Sequence, residues 1–499
     1  MLREQELPSR LFSLRYQFVH ALYQTALYAS ISPTRRSVWS GKVAEALEAG
    51  HGDRKSAVAA ELALLYEMAR DPWRASEHFQ AAAEVASSRF AIREALAFAK
   101  KGLACLALVR ERPDVEAREL ALQKALLHPV GALEGFGTVA TERVSRRIVE
   151  LAERLKDHGS LFAALDGGVI VHMVRGECRE AARIADRMIE VAAESGSEVQ
   201  HMNALMWAMI ARHHHGDLHI AQQHADACIQ MGTRSNQSAR LTTIFDPVVA
   251  TLSESSRNLW ILGDTRDCLD RAARAVALAR DIRHPDSLSF ALVFHAWMHG
   301  YREDWETCLR SASEGISFGG AHGLVQTSAW HHCVHGWALA RTGRTADGLA
   351  QLQNGIEDSL RIMGHVAMPQ FVGMLAEVLM IRGEHARALD EIQRILLLNE
   401  SKRDLYFNAE LHRLTAECHV TLDEPEAAKT ALGRAIETAR SQGALTFELR
   451  AATAFARLFA SSENAAAPRA SLQGVLEALG DAEETVDVRR ARACLMDLN

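Results

Sequence analysis

The chain has 499 residues, of which 48% are apolar and only 6% aromatic, and its formal net charge is −7. It has no dense run of Lys and Arg, which makes a basic nucleic-acid-binding surface unexpected, and no apolar stretch approaches the length of a membrane-spanning helix. Its eight cysteines are dispersed without a Cys-x-x-Cys pair, so we predict a reduced, cytoplasmic protein without a metal or other cofactor.

Residues 1–55 differ in composition from the rest of the chain. They contain mixed aromatic side chains and Pro33, and they end within the polar sequence "HGDRKS" at 51–56. The first ten residues, "MLREQELPSR", are charged and lack the apolar core of a signal peptide. We therefore place a first boundary between residues 55 and 56.

Residues 56–158 carry helical patterns at irregular spacing. The segment "AELALLYEMARDPWRASEHFQAAAEVA" (60–86) has the apolar spacing of two helices around a tight turn. The Gly-containing segment "HPVGALEGFG" (128–137) is predicted to break the chain between two helices. We predict irregular N-terminal repeat-like helices over 56–158.

Turn signals recur every forty residues over most of 159–470. In "GMLAEVLMIRGEHARALDEI", Gly383 separates two helical patterns, and steps of forty residues lead back through Gly343 to Gly263. The interval between Gly216 and Gly263 is forty-seven residues, and the additional residues fall in 233–247. A fixed period of this length is the signature of a repeat array.

Small side chains recur with the turn, as two closely packed antiparallel helices require. Seven residues before the turn stand Ala296, Gly336, Ala376, Ala416 and Ala456; five residues after it stand Ala181, Ala221, Cys268, Cys308, Gly348, Ala388 and Ala428. The two cysteines are therefore predicted to be small, buried packing residues. The predicted fold is all-α: a tetratricopeptide (TPR)-like α–α superhelix, or solenoid, of roughly forty-residue helix–turn–helix repeats over 159–470, with C-terminal capping helices over 471–499.

Several segments, taken in order, resemble one class of protein. The stretch "YQFVHALYQTALYASISPTRRSVWSGKVAEALEA" (16–49) resembles the winged-helix segment that follows the NTPase module of bacterial STAND-type signalling ATPases. The segment that begins "AELALLYEMARDPW" resembles the first TPR units of those proteins, and "VHGWALARTGRTADGLAQLQNGI", "FNAELHRLTAEC" and "FELRAATAFARLF" resemble their late TPR units. The class includes adenylate/guanylate cyclase-linked and LuxR-type regulators.

The sequence lacks the P-loop G-x-x-x-x-G-K-[ST] of that class. The resemblance therefore implies the TPR sensor region, preceded by a winged-helix-like segment over 1–55, without the NTPase module and without ATPase or cyclase activity. It also implies a partner: an NTPase or output module, in the same chain or in another.

Two histidine clusters have spacings that suit a metal ion. In "WHHCVHGW" (330–337), His331 and His335 lie one helical turn apart, and "ARHHHGDLHIAQQHADAC" (211–228) is denser in histidine. Neither cluster shows a complete ligand set. Hydrogen-bonded or exposed histidines are the simpler interpretation, and we predict neither a metal site nor catalytic residues.

The groove of the predicted superhelix is the expected binding surface, because the first helix of each unit usually lines it. Trp297 and Trp337 stand forty residues apart, each one residue after a small crossing position, which predicts equivalent core or groove residues. Aromatic side chains commonly anchor interfaces, so a role in ligand binding is one of the two interpretations. The predicted ligand-groove residues are Trp207, Trp297, His299, Trp330 and Trp337.

The predicted function is that of a non-enzymatic interaction and sensor module. It would bind a protein or peptide partner, or a small effector, in its concave groove, without a membrane or a nucleic acid. Two alternatives stay open. One is a DNA-binding regulator that acts through the winged-helix-like segment, which contains Arg35, Arg36 and Lys42. The other is a histidine-based metal-binding enzyme.

Overall fold

The computed structural model describes residues 2–6, 12–16, 21–89, 91–134, 138–233, 245–458, 466–480 and 484–497. Within these ranges every regular element after Tyr16 is helical, so the predicted all-α class is confirmed. Most of the predicted insertion at 233–247 lies outside the described residues. The chain forms two compact units, Met1–Gly167 and Gly168–Asn499, whose boundary falls inside one helix.

The first unit begins with an antiparallel β-hairpin of β1 (Leu2–Glu6) and β2 (Phe12–Tyr16). The helices that follow are α1 (Ala21–Ser30), α2 (Pro33–His51), a 3-10 helix (Gly52–Val58), α3 (Ala59–Met68), α4 (Pro72–Ser88), α5 (Ile92–Leu106), α6 (Val115–Glu134) and α7 (Val139–Leu155), and α8 (His158–Val174) crosses the boundary. The hairpin precedes the first helices, and the predicted winged-helix character of 1–55 stays a prediction.

Local sequence signals explain the hairpin of α3 and α4. Asp71 caps α4 by accepting a hydrogen bond from the Arg74 backbone amide at 3.0 Å, and Pro72 occupies the first helical turn, where its missing N–H costs nothing. Tyr66 and Phe79 pack in the core between these helices. The break predicted at 128–137 is wrong in its first half, because α6 continues to Glu134.

The second unit is a series of helical hairpins. Its helices are α9 (Cys178–Ser195), α10 (Glu198–His215), α11 (Leu218–Gly232), α12 (Pro247–Leu262), α13 (Thr265–Ile282), α14 (Pro285–Tyr301), α15 (Trp305–His322), α16 (Val325–Arg341), α17 (Thr345–Met363), α18 (Met368–Ile381), α19 (His385–Lys402), α20 (Asn408–Thr421), α21 (Pro425–Gln442), α22 (Leu445–Leu458), α23 (Ala466–Leu479) and α24 (Val486–Asp497). The turns between α12 and α13 and between α16 and α17 contain Gly263 and Gly343, whose φ angles of 98° and 97° suit glycine.

The predicted small positions lie at the helix crossings. A Cβ atom added at Gly336 would lie 2.7 Å from the Gly348 carbonyl oxygen, so α16 and α17 approach with their backbones almost in contact. Ala376 is fully buried at the equivalent crossing of α18 and α19. Cys268 and Cys308 are fully buried as well, which confirms that they are packing residues.

The even-numbered helices α10 to α22 form an inner layer, and we call them the inner helices. Each packs against the next inner helix as well as against its neighbours in sequence, and α12 also contacts α22. At that contact the rings of Trp260 and Phe447 lie 5.6 Å apart. The second unit is therefore a superhelical array whose interior is partly filled by its own inner helices.

Candidate functional site

A cavity of about 740 Å³ opens among the C-terminal halves of α18, α20 and α22, beside α24. Its volume lies within the range of roughly 300–1,000 Å³ that is usual for ligand sites. Five arginines line it: Arg341, Arg413, Arg450, Arg457 and Arg490. Four carboxylates line it as well: Glu303, Glu377, Glu417 and Asp487. We call it the charged cavity.

The forty-residue period explains how these side chains come together. The position one residue after the small crossing residue faces the interior in every repeat. We call it the inner register, and from α12 to α22 its members are Arg257, Trp297, Trp337, Glu377, Glu417 and Arg457. The last three line the charged cavity. Side chains at the position thirteen residues before each turn also face the interior. In the last two repeats, on α20 and α22, these residues are Glu410 and Arg450.

Glu410 holds the floor of the cavity together. It is buried, and Arg413 donates hydrogen bonds to both of its oxygens at 2.8 and 2.9 Å. Arg450 donates to Glu410 at 3.0 Å and to Asp487 at 3.0 Å. Burial alone would raise the pKa of Glu410, but the two guanidinium groups outweigh it and hold that pKa at about 2.

A second ion-pair group connects α14, α16 and α24. Arg490 donates to both oxygens of Glu303 at 2.8 and 3.0 Å, and Arg341 donates to the same carboxylate at 3.4 Å. Burial opposes ionisation of Glu303, but these arginines lower its pKa. Helix α24 is thereby joined to the turn that follows α14, and it closes one side of the cavity.

Glu377 differs from the other carboxylates of the cavity. Its Oε2 accepts a hydrogen bond from Trp337 Nε1 at 2.8 Å, and its nearest arginine, Arg341, is 3.8 Å away. Burial raises the pKa of Glu377, and these two partners do not reverse that effect. The cavity therefore combines carboxyl groups whose pKa values are shifted in opposite directions.

The edge of the cavity is partly apolar and carries an exposed cation. Ile381 and Val420 line it while keeping nearly half of their surface exposed. Arg457 is exposed on α22 and contacts the Cys494 thiol. Within the described residues, no carboxylate pairs with Arg457.

Three of the predicted groove tryptophans are buried instead. The Trp297 ring is 0% exposed and packs against Phe294 and Trp330, with ring centroids 4.7 and 5.9 Å away. Trp330 donates from Nε1 to Ser359 at 3.1 Å, and Trp337 is also buried. The expectation that these rings face an open groove is wrong, because neighbouring inner helices cover them.

The two remaining predicted groove residues are only partly buried. His299 Nδ1 lies 2.9 Å from an oxygen of Asp304, the residue that caps α15. Trp207 lies on α10, away from the charged cavity. A ligand contact by either residue stays a prediction.

His331 and His335 have separate partners, whereas His332 and His335 both contact the side-chain amide of Gln351. His331 is fully buried, its Nε2 lies 3.0 Å from the Ser289 carbonyl oxygen, and burial lowers its pKa to about 3. His335 Nδ1 lies 2.8 Å from the side-chain oxygen of Gln351. The rings of His331 and His335 therefore do not converge on one point.

The dense cluster at 211–228 contributes one histidine to a buried group. Potential ligand atoms of Cys178, His214 and Asp404 lie within 4.8 Å of one another. His214 Nδ1 is 3.1 Å from Asp404, and its Nε2 is 3.5 Å from Arg257. An ionised carboxylate only accepts, so Nδ1 donates to Asp404 and Nε2 is left to accept from Arg257. A metal ion would have to displace these contacts.

Arg257 is the centre of a buried network on α12. Its side chain is 1% exposed and donates to Glu254, to Gln370 at 3.0 Å and to Tyr406 at 3.4 Å. The rings of Phe294 and Tyr406 lie 5.3 and 4.8 Å from its guanidinium carbon. Here the interior of the array is filled.

Comparison with known proteins supports the fold and leaves the family open. No protein-family model matches the sequence. An uncharacterized protein of Rhizobium meliloti (strain 1021) is 26% identical over 443 residues, which cover 87% of this chain and 43% of that protein. The chain thus spans less than half the length of this relative.

Solved structures of helical-repeat proteins are similar to this chain. The crystal structure of a Rap protein complexed with Competence and Sporulation Factor matches with a TM-score of 0.52 and 13% identity, over 74% of this chain and 98% of that one. A signal transduction ATPase with numerous domains and a tetratricopeptide repeat sensor, from Pyrococcus horikoshii, matches 68% of this chain and 51% of that one at 12% identity. The TM-score of that match is 0.37.

Proposed function

We propose that this chain is a non-enzymatic, TPR-like interaction and sensor module that binds a peptide segment of a protein partner in the charged cavity. The observation that carries the proposal is the cavity itself, a space of about 740 Å³ on the inner layer of a helical array. Helical arrays use their inner surfaces for binding. The Rap protein of the similar structure is itself in complex with a factor.

The composition of the cavity supports a peptide rather than a wholly apolar ligand. Its floor is a network of ion pairs, whereas its edge presents Ile381 and Val420. A peptide can match this mixture, because its backbone and polar side chains hydrogen-bond while its apolar side chains cover the edge. The bound segment would belong to an NTPase or output module of a bacterial signalling protein.

The length of the relative supports a place within a larger protein. The matched region covers 43% of the Rhizobium meliloti protein, so a module like this one forms part of a longer chain there. We infer that the binding of a partner to this module regulates an output module in a longer protein of this kind. The alternative of DNA binding stays open, and a metal ion at Cys178, His214 and Asp404 would first have to displace the contacts of His214 with Asp404 and Arg257.

The test is selection from a library of random peptides displayed on phage, with the purified chain as the target. Selected peptides are synthesised, and their binding is measured by fluorescence anisotropy. Ala454 lines the cavity on α22, so Ala454→Trp should fill it and abolish binding. Gly433→Trp on α21 is the matched control, because a Cβ atom added there meets nothing within 4 Å.

A second variant that blocks the cavity keeps the test valid if Ala454→Trp does not fold. Ile381→Trp adds bulk at the exposed edge of the cavity, where neighbours leave it room. Both variants must retain the helical circular dichroism of the wild type. Failure of the library to yield any specific peptide, or equal binding by the wild type and a folded blocking variant, would refute the proposed function.

A further inference from the structure

The arginines of the charged cavity are not equivalent. Arg413 and Arg450 share the buried Glu410, and Arg341 and Arg490 share Glu303. These four cations already hold carboxylates of the chain itself. A ligand that used them would first have to break an ion pair inside the protein.

Arg457 is the exception. It occupies the last position of the inner register, its side chain is exposed at the edge of the cavity, and its polar contact among the described residues is the Cys494 thiol. A thiol is a weak hydrogen-bond acceptor, so it leaves the donors of the guanidinium group available. Planar guanidinium groups bind carboxylates through two parallel hydrogen bonds.

The acidic side chains of the cavity are less available to a cation. Glu303 and Asp487 are held by arginines, and Glu417 pairs with Arg413. Glu377 is 3.8 Å from Arg341 and accepts a hydrogen bond from Trp337. A basic ligand would therefore meet carboxylates that already have partners, whereas an acidic ligand meets the guanidinium group of Arg457, which pairs with no carboxylate in the part of the chain that the structure describes.

The apolar edge adds a second requirement. Ile381 and Val420 follow each other at almost the same position of successive repeats on α18 and α20, and both remain nearly half exposed. Leu458 lies one residue after Arg457 and also lines the cavity. An apolar side chain next to the carboxylate of a ligand would cover this edge and release water from it.

We propose that the peptide ligand of the charged cavity presents a carboxylate beside an apolar side chain, and that Arg457 is the residue that binds the carboxylate. This inference rests on the proposed function and names the ligand chemistry of the same site. The carboxylate has two sources, an Asp or Glu side chain and the free C-terminus of a chain. Both offer the same two oxygens to Arg457.

Two phage libraries distinguish the sources. In one, random peptides are fused so that they have no free C-terminus, and in the other they end in a free carboxylate. Selection of Asp or Glu next to an apolar residue from both libraries identifies a side-chain carboxylate. Selection from the second library alone, with loss of binding when the synthetic peptide ends in an amide, identifies a C-terminal carboxylate. Either result supports the inference.

The role of Arg457 is tested by a double-mutant cycle with the best selected peptide. Arg457→Met keeps an unbranched side chain and should weaken binding by about tenfold, as expected for one exposed charge-assisted pair. Arg394→Met is the matched control, because Arg394 is exposed on the outer helix α19 and pairs with Glu391. Replacement of the peptide carboxylate by an amide should weaken binding to the wild type by a similar factor and should have no further effect in Arg457→Met.

Three results would overturn the inference. Selected peptides that bind the cavity but carry no carboxylate would refute it and leave the proposed function standing. Selection of basic peptides would also refute the inference, because it would assign the ligand to Glu377. An Arg457→Met variant that binds acidic peptides as well as the Arg394→Met control does would refute it too, and both results leave the proposed function standing. If no peptide is selected at all, the inference and the proposed function fail together.

Discussion

Two parts of the inner register share one position in the repeat and have opposite environments. At Trp297 the interior is filled: the ring is surrounded by Phe294, Trp330 and the buried Arg257. At Glu417 and Arg457, three and four repeats later, the interior opens into the charged cavity. The difference shows that the repeat fixes where a side chain points, whereas the partners around it decide whether it is covered.

The physical cause of this difference is desolvation. Aromatic rings gain free energy when inner helices cover them, at about 25 cal/mol per Å² of apolar surface. Charged side chains lose hydration when they are covered, and the ion pairs that they form compensate for this only with good geometry. Arg257 meets this condition through Glu254, Gln370 and Tyr406 and is buried. At Glu417 and Arg457 the side chains stay partly exposed around a cavity, and a ligand can enter that space.

The sharpest way to test this comparison is to truncate the same register position in both parts. Trp297→Ala should destabilise the chain by about 3–5 kcal/mol, because it leaves a cavity in a filled core. Glu417→Ala removes a half-exposed partner of Arg413 and should cost less than about 1 kcal/mol. Urea unfolding followed by circular dichroism measures both. Equal losses for the two variants would show that the two parts do not differ in packing.

Glu410→Gln should give the next largest effect. The variant leaves Arg413 and Arg450 without their shared carboxylate and should lose about 3 kcal/mol at neutral pH. Folding lowers the pKa of Glu410 from 4.5 to about 2, so its contribution is complete above pH 4.5 and is lost as the pH falls towards 2.

The stability difference between the wild type and Glu410→Gln should therefore narrow on acidification. Urea-unfolding midpoints of both proteins, measured at neutral pH and in steps down through the acidic range, give this difference directly. A difference that stays constant as Glu410 protonates would show that its carboxylate charge does not hold the floor of the cavity.

Glu377→Gln should change the free energy of unfolding least, and any change at neutral pH should be stabilising. Burial raises the pKa of Glu377, so this residue stabilises the fold only at low pH, where it is protonated, and that contribution is lost as the pH rises through its raised pKa. A glutamine keeps the acceptor for Trp337 Nε1 without the charge. The variant should match the wild type in acid and be equally stable or slightly more stable at neutral pH. Destabilisation at neutral pH that disappears in acid would contradict this assignment.

The sequence alone was sufficient to predict the repeat. Small residues recur because two helices cross at the same place in each unit, and Gly336 and Ala376 lie at those crossings. Local signals of this kind are visible without a structure. The α6 helix was the exception, because Pro129 and nearby glycines predict a break that the structure does not have in its described part.

The site is harder to predict from the sequence, because aromatic side chains favour an assignment as groove residues. Steps of forty residues from Trp337 lead directly to Glu377, Glu417 and Arg457, so the signal for the cavity was present in the sequence. On a helix, however, alternating charges usually indicate a solvated face. Contacts such as Arg490 with Glu303, 187 residues apart, depend on the curvature of the array, which the repeat length does not specify.

Hydrogen–deuterium exchange of the chain, measured with and without a selected peptide, locates the bound peptide on the array. If the charged cavity is the binding site, the peptide should slow exchange in the C-terminal halves of α18, α20 and α22 and leave α12 and α14 unchanged. Protection confined to the outer helices α19 and α21, or to the aromatic part of the inner layer, would contradict it.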